Sequence, residues 1–376
     1  MKVLFLAQSL SKAGAERLVL EISNAINVIS KDISVKIVSL APENEYPSLS
    51  EGLDIEYCSS NVHISIFGKS VINISEFEKI VDKFNPDVIH SHTYKAELVS
   101  REKPRKGIKY FTHVHGPFLE FEKFTFKILI NKLSFTRFFE RVRIFKRYRK
   151  INNQFITISS LIDTQLRNQL EYKWNSKIHF MPNAIDYSKF YVKPKAISSN
   201  TIRLVSVGRM FPEKNQTFLL DVMSKLIYFE PNINWKLLIA GVGPLKDSLS
   251  KKINKLDLNK YVTLPGLVDN IEQTLKISHL YVHSATFEPF GLTMMEAMAS
   301  SLPIISIDGG GNKDFISNEY NGYIFNQDTT PEIFAKAIIK LVTDNGKYLK
   351  MAHAANETAK EYDIIKYTEK LLQLYS

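Results

Sequence analysis

Several features that define other protein classes are missing from this chain of 376 residues. It contains one cysteine, Cys58, so no internal disulfide and no cysteine-based zinc site can form, and a reducing compartment fits. No run of about 18 apolar residues occurs, which predicts that no segment spans a bilayer. The opening residues, MKVLFLA, form too short an apolar run for a signal peptide and are typical of a buried strand. We therefore expect a cytoplasmic protein.

The order of apolar and polar residues predicts two α/β domains. Runs of strand length alternate with helical patterns, as in the βαβ units of a parallel sheet. The strand-like runs are Val3–Ala7, Val35–Leu40, Val88–His90, Tyr110–Val114 and Phe155–Ile158, then Ile202–Val207, Lys236–Ala240, Val262–Leu264, Leu280–His283 and Ile304–Ile307. Between the two sets, residues 192–200 (VKPKAISSN) are a predicted linker. The predicted fold is two Rossmann-like, doubly wound domains, residues 1–190 and 191–361, that face a cleft.

The strongest chemical signal is residues 287–303, FEPFGLTMMEAMASSLP. A predicted strand ends at His283 and a helix begins near residue 290, so free backbone N–H groups there form an anion site. Glu288 on the loop and Glu296 in the helix are good acceptors for hydroxyl groups, which suits a sugar or a ribose. The plain alternative is an acid that favours the helix dipole and a second, solvated glutamate.

The second signal is residues 207–215, VGRMFPEKN, at the end of another predicted strand. Arg209 can form a bidentate contact with phosphate oxygens, and Lys214 can add a point charge just before a helix. Taken alone, the two are as consistent with ordinary surface charges. Because both signals fall on strand-to-helix loops of one domain, we interpret them together as a site for a diphosphate and for hydroxyl groups.

These motifs resemble those of the family-4 retaining glycosyltransferases of GT-B fold, and the resemblance covers nearly the whole chain. The pair G-R-x4-K-N and E-x7-E carries most of it. Further segments in the family's order are Gly14-Ala15-Glu16-Arg17, residues 87–92 (DVIHSH), 181–186 (MPNAID), 238–243 (LIAGVG) and 264–266 (LPG). Ala13, Ala184 and Asp314 depart from the family pattern, which has Gly, Gly and Glu at these places. Residues 362–376 resemble the family's C-terminal helix, which crosses back to the first domain.

The resemblance implies a role for each site residue. Arg209 and Lys214 would bind the donor diphosphate, Glu296 the nucleotide ribose and Glu288 the hydroxyls of the donor sugar. The remaining donor-site residues would be Gly14 together with the backbone of Phe290, Gly291, Leu292 and Thr293, and the base would be flanked by Gly266, Leu267 and Val268. The donor would be a UDP- or GDP-linked sugar, with no cofactor.

His115 is the candidate for the catalytic machinery in the first domain. It ends the predicted strand Thr112-His113-Val114-His115 and precedes Gly116, as does the family histidine near the donor sugar and diphosphate. The alternatives are structural histidines and a metal bound by His113 and His115. Because no Asp-x-Asp motif occurs, a metal-bridged diphosphate has no obvious ligands, and we expect a metal-independent enzyme.

Residues 118–150 combine aromatic with basic side chains. Between Phe121 and Lys150 there are ten Lys or Arg residues and only two acids, Glu122 and Glu140, in a chain whose net charge is +10. The cations are Lys123, Lys127, Lys132, Arg137, Arg141, Arg143, Lys146, Arg147, Arg149 and Lys150. Such a segment favours contact with an anionic membrane, with nucleic acid as the rival partner and a solvated, inward-packed helix as the plain alternative. We expect membrane contact and no nucleic acid, since a lipid-linked acceptor needs a surface of this kind.

The predicted function is therefore retaining transfer of a sugar from a nucleotide diphosphate-sugar to a glycan or lipid-linked acceptor. The expected setting is cell-surface polysaccharide or glycolipid assembly at the inner face of the membrane. The resemblance implies front-face attack by the acceptor, and a covalent intermediate on Glu288 is the alternative mechanism. Two other classes stay open at this point, a nucleotide-sugar epimerase of related fold and a basic nucleic-acid-binding protein.

Overall fold

The computed structural model describes residues 1–64, 70–121, 123 and 132–376. These residues form two compact units. The first unit comprises Met1–Ala184 and Ile364–Ser376, and the second comprises Ile185–Asp363. None of the helices in the described ranges combines the length and the apolar character that a bilayer crossing requires.

The first unit is built on a parallel sheet of seven strands. They are β1 (Lys2–Ala7), β2 (Ser34–Ser39), β3 (Ile55–Tyr57), β6 (Val88–Ser91), β7 (Lys109–Val114), β8 (Asn153–Thr157) and β9 (Ile178–Phe180). Their order in the sheet is β3-β2-β1-β6-β7-β8-β9. Two further strands, β4 (Asn61–His63) and β5 (Val71–Asn73), form an antiparallel hairpin. The helices are α1 (Gly14–Ile29), α2 (Pro47–Ser50), α3 (Ser75–Phe84), α4 (Tyr94–Ser100), α5 (Lys132–Tyr148), α6 (Ser160–Gln169) and the C-terminal α14 (Ile364–Tyr375).

The second unit repeats this plan with six parallel strands. They are β10 (Thr201–Val207), β11 (Asn234–Ala240), β12 (Val262–Gly266), β13 (Leu280–His283), β14 (Ile304–Ile307) and β15 (Gly322–Phe325). Their order is β12-β11-β10-β13-β14-β15. The helices are α7 (Tyr187–Phe190), α8 (Gln216–Phe229), α9 (Lys246–Lys255), α10 (Ile271–Ile277), α11 (Leu292–Ala299), α12 (Pro331–Val342) and α13 (Asn345–Lys360).

Both strand orders reverse direction beside the first strand of the unit, which makes each unit doubly wound, as predicted. In the first unit β1 lies between β2 and β6, and in the second β10 lies between β11 and β13. In sheets of this topology, ligands bind outside the carboxyl ends of the strands at the point of reversal. The loops that follow β10 and β13 are therefore the first place to look for a site, and they carry both sequence signals of the second unit.

The first unit includes the C-terminal helix in its core. Leu371 and Tyr375 of α14 are buried in the same apolar cluster as Leu18, Ile22 and Ile26 of α1. Burying a large apolar side chain stabilises a fold by about 1.5–3 kcal/mol. Several such contacts hold α14 on the first unit, although the chain reaches it only after completing the second.

The structure divides the chain after Ala184 and again after Asp363, whereas the sequence analysis placed the boundaries at 190 and 361. Short-range contacts tie the residues after Ala184 to the second unit. Ile185 donates its backbone N–H to the carbonyl of Tyr362 at 3.0 Å. The Tyr187 hydroxyl donates to Asn356 Oδ1 at 2.8 Å. Neither contact has a signature in the composition of the linker, from which the boundary was predicted.

Candidate active site

The two sequence signals of the second unit form one structure. The loop after β10 ends in a short 3-10 turn, Pro212–Lys214, and the loop after β13 lies against this turn. Ser284 Oγ donates to the carbonyl of Lys214 at 2.9 Å, and Thr286 N–H donates to the carbonyl of Glu213 at 2.9 Å. These hydrogen bonds fix the position of Lys214 relative to the acidic loop.

Lys214 and Glu288 form the centre of this arrangement. Lys214 Nζ lies 2.7 Å from Glu288 Oε2, and Nε2 of His283 lies 3.1 Å from the same oxygen. Glu288 is buried, with 9% of its surface exposed. Burial raises the pKa of this carboxyl, but His283 and Lys214 more than offset that effect and hold the pKa at about 2. Glu288 is therefore ionised at neutral pH. His283 was recognised in the sequence only as the end of a strand, and its contact with Glu288 was not predicted.

A glycine-rich turn after β14 holds the backbone of Glu288. The N–H of Glu288 donates to the carbonyl of Gly309 at 2.7 Å, and Gly311 N–H donates to the carbonyl of Glu288 at 2.9 Å. A Cβ atom on Gly309 would lie 2.7 Å from the Cβ of Glu288, and one on Gly311 would lie 2.0 Å from the carbonyl oxygen of Pro289. Only glycine permits this close approach, which is the physical reason for the Gly-rich turn that the sequence shows.

Helix α11 presents free backbone donors next to this loop. Gly291 precedes the helix with φ 108°, a left-handed conformation, and its carbonyl accepts from the N–H groups of Met294 and Met295 at 3.0 and 3.2 Å. Among the described residues, no group accepts a hydrogen bond from the N–H of Leu292 or Thr293. The N-terminus of α11 thus offers two unpaired backbone N–H groups, which is the geometry on which the predicted anion site depends.

Tyr281 joins this helix to the end of β10. Its hydroxyl donates to the carbonyl of Val207 at 3.0 Å, accepts from the N–H of Val207 at 3.1 Å and lies 2.8 Å from Thr293 Oγ1. Burial raises the pKa of Tyr281 well above its ordinary value, so that the hydroxyl keeps its proton. This tie was not predicted, because the only sequence signal for it is a tyrosine within a buried strand.

The other predicted donor residues occupy different environments in the second unit. Arg209 is exposed and its guanidinium lies over the ring of Phe211, 5.0 Å from the ring centre. Glu296 is buried in α11. Gly266 ends β12 with φ 81°, and the neighbouring Leu267 is 57% exposed. Arg209 can therefore move toward a ligand, whereas Glu296 is held in place by the helix.

In the first unit, His115 is half-buried and in contact with another histidine. Its Nε2 lies 3.0 Å from Nδ1 of His92, which follows β6. Burial lowers the pKa of His115 to about 3, so its imidazole is neutral at physiological pH. Gly14 begins α1 after Ala13, whose φ of −144° is an extended conformation open to any residue. The replacement of the family glycine by Ala13 therefore costs no backbone strain.

Several side chains of the basic segment, residues 118–150, form contacts within the first unit. Arg143 and Arg147 both pair with Glu102, at 2.5 Å each, and Arg149 pairs with Glu171. Arg141 donates to the carbonyl of Gln169 at 2.9 Å. Phe118, Phe121 and Phe145 are buried. Glu122, Phe124, Phe126 and Lys127 lie outside the described residues.

Other side chains of α5 face solvent. Phe139 is 47% exposed and Val142 is 51% exposed. They lie three residues apart, on one side of the helix. Lys146, one turn further along, and Lys150, just beyond the helix, are exposed as well. These four side chains border a groove of about 420 Å³ in the first unit. The segment thus combines apolar and cationic exposed side chains on one face.

Comparison with known proteins identifies the class of enzyme that this fold and site define. Residues 13–189 match the model of Glycosyltransferase Family 4, and residues 188–362 match that of Glycosyl transferases group 1. The two matches together run from residue 13 to residue 362. The chain therefore belongs to the family-4 glycosyltransferases, and the protein is a transferase enzyme.

Individual proteins resemble the chain at lower identity. It is 24% identical, over 82% of its length and 79% of the relative's, to UDP-Gal:alpha-D-GlcNAc-diphosphoundecaprenol alpha-1,3-galactosyltransferase of Escherichia coli. It is 26% identical to alpha-monoglucosyldiacylglycerol synthase of Acholeplasma laidlawii, over 68% of this chain and 67% of the relative. HepE of Anabaena, solved in complex with UDP, shares the fold with a TM-score of 0.78 and 20% identity, over 100% of this chain and 99% of that chain. HepE was also solved in complex with UDP-glucose. The fold class predicted from the sequence is thereby confirmed.

Proposed function

We propose that the protein transfers a sugar, with retention of anomeric configuration, from a nucleotide diphosphate-sugar to a glycan or lipid-linked acceptor. The observation that carries the proposal is the pairing of Lys214 with Glu288 beside the free N–H groups of Leu292 and Thr293. Cationic and N–H donors suit a diphosphate, and an ionised carboxylate suits hydroxyl groups. One molecule that needs both kinds of partner is a nucleotide diphosphate-sugar.

In this proposal the donor diphosphate lies at the N-terminus of α11, with Lys214 and the exposed side chain of Arg209 on its oxygens. Negative charge grows on the leaving phosphate during transfer, and fixed cations and N–H dipoles stabilise it. Glu296 binds the ribose, and Gly266, Leu267 and Val268 flank the base. The ligands of the HepE structures, UDP and UDP-glucose, support a nucleotide diphosphate-sugar as the donor, which we expect to be UDP- or GDP-linked.

Glu288 acts as a hydroxyl acceptor in this mechanism. Its pKa of about 2 keeps it ionised, and one carboxylate oxygen already contacts Lys214 and His283. A carboxylate stabilised in this way is a weak nucleophile, which favours front-face attack by the acceptor over a covalent intermediate. The neutral imidazole of His115 is suited to donate an N–H bond to the donor sugar or diphosphate.

The acceptor side belongs to the first unit. A mostly polar pocket of about 450 Å³ lies there beyond β1, β2 and β3, lined by hydroxyl and amide side chains and by Lys95. Such a lining suits a glycan. The exposed face of α5, with Phe139, Val142, Lys146 and Lys150, suits the surface of an anionic membrane at which a lipid-linked acceptor is presented. The relatives from E. coli and A. laidlawii are named for a diphosphoundecaprenol and a diacylglycerol product, which supports an acceptor of this class.

The reaction is tested by mixing the protein with candidate donors and acceptors and recording the anomeric proton of the product by NMR. Release of nucleoside diphosphate together with an α-linked product from an α-linked donor supports retention. An inverted anomeric centre contradicts it. Epimerisation of the donor without any acceptor supports the epimerase instead. The mechanism is tested by comparing the wild-type protein with Glu288→Gln. A sugar that is trapped covalently on Glu288 of the wild type, and is absent from the variant, excludes front-face attack.

Membrane contact is tested with liposomes that contain anionic phospholipid. The variant Lys146→Glu/Lys150→Glu should bind them less than the wild-type protein at low salt. The matched control is Lys79→Glu/Lys83→Glu, which reverses two exposed charges of α3 in the same unit. Equal binding of all three proteins, or equal loss in both variants, contradicts a specific role for α5.

A further inference from the structure

Four histidines of the first unit form one stacked cluster, which the transfer reaction proposed above does not require as a whole. His90 and His92 belong to β6 and its end, and His113 and His115 to the neighbouring β7 and its end. Alternate residues of a strand project to the same face, so that all four rings share one side of the sheet. The ring centres of His90, His92 and His113 are 4.4 to 5.2 Å apart.

Four of the six ring nitrogens of three of these histidines lack partners among the described residues. Nε2 of His90, Nε2 of His92 and both ring nitrogens of His113 are buried without a hydrogen bond. All three side chains are at most 2% exposed. A buried polar atom without a partner costs about 1–3 kcal/mol, so native structures rarely hold four together. One ligand atom from each of His90, His92 and His113 lies within 4.8 Å of the others.

Two of the three histidines, His90 and His92, have an outer nitrogen with the kind of partner that metal-bound histidines need. Nδ1 of His90 is hydrogen-bonded to the Tyr375 hydroxyl of α14, and Nδ1 of His92 lies 3.0 Å from His115 Nε2. When both Nδ1 atoms donate, each Nε2 carries a lone pair that faces the cluster. A hydrogen bond from the distal nitrogen that fixes the tautomer in this way accompanies nearly all metal-bound histidines.

We propose that His90, His92 and His113 bind a divalent transition metal of the zinc type, at a site separate from the transfer reaction. Imidazole nitrogens are ligands that Zn²⁺ takes at about 2.0–2.1 Å, and three histidines with an open fourth position are an established ligand set for it. Tetrahedral binding requires the nitrogens to lie about 3.4 Å from one another, so metal binding must turn the stacked rings toward a common point.

The site links the sheet to the C-terminal helix through the His90–Tyr375 hydrogen bond. Metal binding would therefore stabilise the folded first unit, including the docking of α14. The transfer chemistry proposed above uses no metal, but His92 is hydrogen-bonded to His115, so the metal proposal is judged by metal binding and melting temperature and not by activity. Failure of the metal proposal leaves the proposed function untouched, and the reverse is equally true.

The test uses the full-length protein without an affinity tag, treated with EDTA and titrated with Zn²⁺ in a calorimeter. The expected result is one Zn²⁺ per chain and a higher melting temperature. His90→Gln and His113→Gln should each abolish this binding, whereas the control His63→Gln, an exposed histidine of β4, should leave it intact. Tyr375→Phe removes only the outer partner of His90 and should weaken binding about tenfold.

If the ligand variants do not fold, X-ray absorption spectroscopy of the wild-type zinc complex tests the proposal instead, because it identifies the atoms bound to the zinc. Three imidazole nitrogens at about 2.0–2.1 Å support the proposal. It is overturned by absence of a stoichiometric site, by a zinc shell without imidazole scattering, or by ligand variants that fold and bind Zn²⁺ as the wild type does. In those cases, water molecules satisfy the buried nitrogens.

Discussion

Lys214 Nζ lies 2.7 Å from Glu288 Oε2, although the two residues are 74 positions apart in the chain. The contact joins the loop after β10 to the loop after β13 at the carboxyl edge of the second sheet. It places a cation and a hydroxyl acceptor side by side, so that one ligand can contact both. The hydrogen bonds of Ser284 and Thr286 to the turn that carries Lys214 hold the two loops together around this pair.

The first prediction concerns the coupling of this pair. Lys214→Met leaves the buried carboxylate of Glu288 with only His283 and should lower the stability of the protein by about 3 kcal/mol. Adding Glu288→Gln to that variant should recover part of the loss. A double-mutant cycle on the unfolding free energies measures the coupling. The control is the exposed pair Lys336–Glu332, for which the coupling should be far smaller. Equal coupling in the two pairs would contradict a special role for the buried one.

The second prediction concerns pH. The pKa of Glu288 is about 2 in the folded protein, below its ordinary value of 4.5. Ionised Glu288 therefore stabilises the fold above about pH 4.5, and this contribution is lost as the pH falls toward 2. Wild-type protein should melt above Glu288→Gln at neutral pH, and the gap should narrow as the pH falls below 4.5. Melting temperatures of both proteins across this range measure the gap. A gap that stays constant, or widens in acid, shows that the carboxylate is not stabilised by its neighbours.

The third prediction concerns the glycine-rich turn. In Gly309→Ala the new Cβ would lie 2.9 Å from the backbone nitrogen of Glu288 and 2.7 Å from its Cβ, so the loop must shift. We expect about 1–3 kcal/mol of destabilisation and a fall in kcat, measured by unfolding and by initial rates. The control is Gly346→Ala in α13, where the nearest atom to an added Cβ is 3.4 Å away. If Gly309→Ala has the same initial rates as the wild type, the position of Glu288 does not matter for the reaction.

The fourth prediction concerns Tyr281. Tyr281→Phe removes the hydroxyl that bonds Val207 and Thr293, and so loosens the N-terminus of α11 from β10. The expected effect is a stability loss of about 1–3 kcal/mol and a higher KM for the donor. The conservative substitution keeps the ring in place, which separates loss of the hydrogen bonds from loss of packing. An unchanged donor KM would assign Tyr281 to stability alone.

The fold could be predicted from the sequence wherever a strand is buried on both faces. Every strand-like apolar run in the sequence proved to be a strand of one of the two sheets. All of them except β12, which lies at a sheet edge, are central parallel strands, and such strands consist almost entirely of apolar residues. The strands that were missed are β3, β4, β5, β9 and β15. They have only three or four residues each, and β3, β9 and β15 lie at sheet edges. A short edge strand is partly exposed and carries no long apolar run.

The candidate site could be predicted only in part. Arg209, Lys214, Glu288 and Glu296 stand in motifs with local signatures, so the sequence could name all four as candidates, and their roles stay predictions. It did not predict that Lys214 and Glu288 touch, because a contact between residues so far apart is set by strand order. His283 and His92 were missed as contact partners for the same reason, since a histidine at a strand end gives no local sign of what it faces.

The most direct test of the central claim is calorimetric titration of the protein with UDP and with GDP. We predict that one of the two binds the wild type, and that Arg209→Ala and Lys214→Met each weaken binding about 10- to 100-fold by removing a charged contact to the diphosphate. Lys251→Ala, an exposed lysine of α9 in the same unit, should bind like the wild type. If neither nucleotide binds, or if Arg209→Ala and Lys214→Met bind as tightly as the wild type, the second unit does not hold a donor diphosphate at these residues.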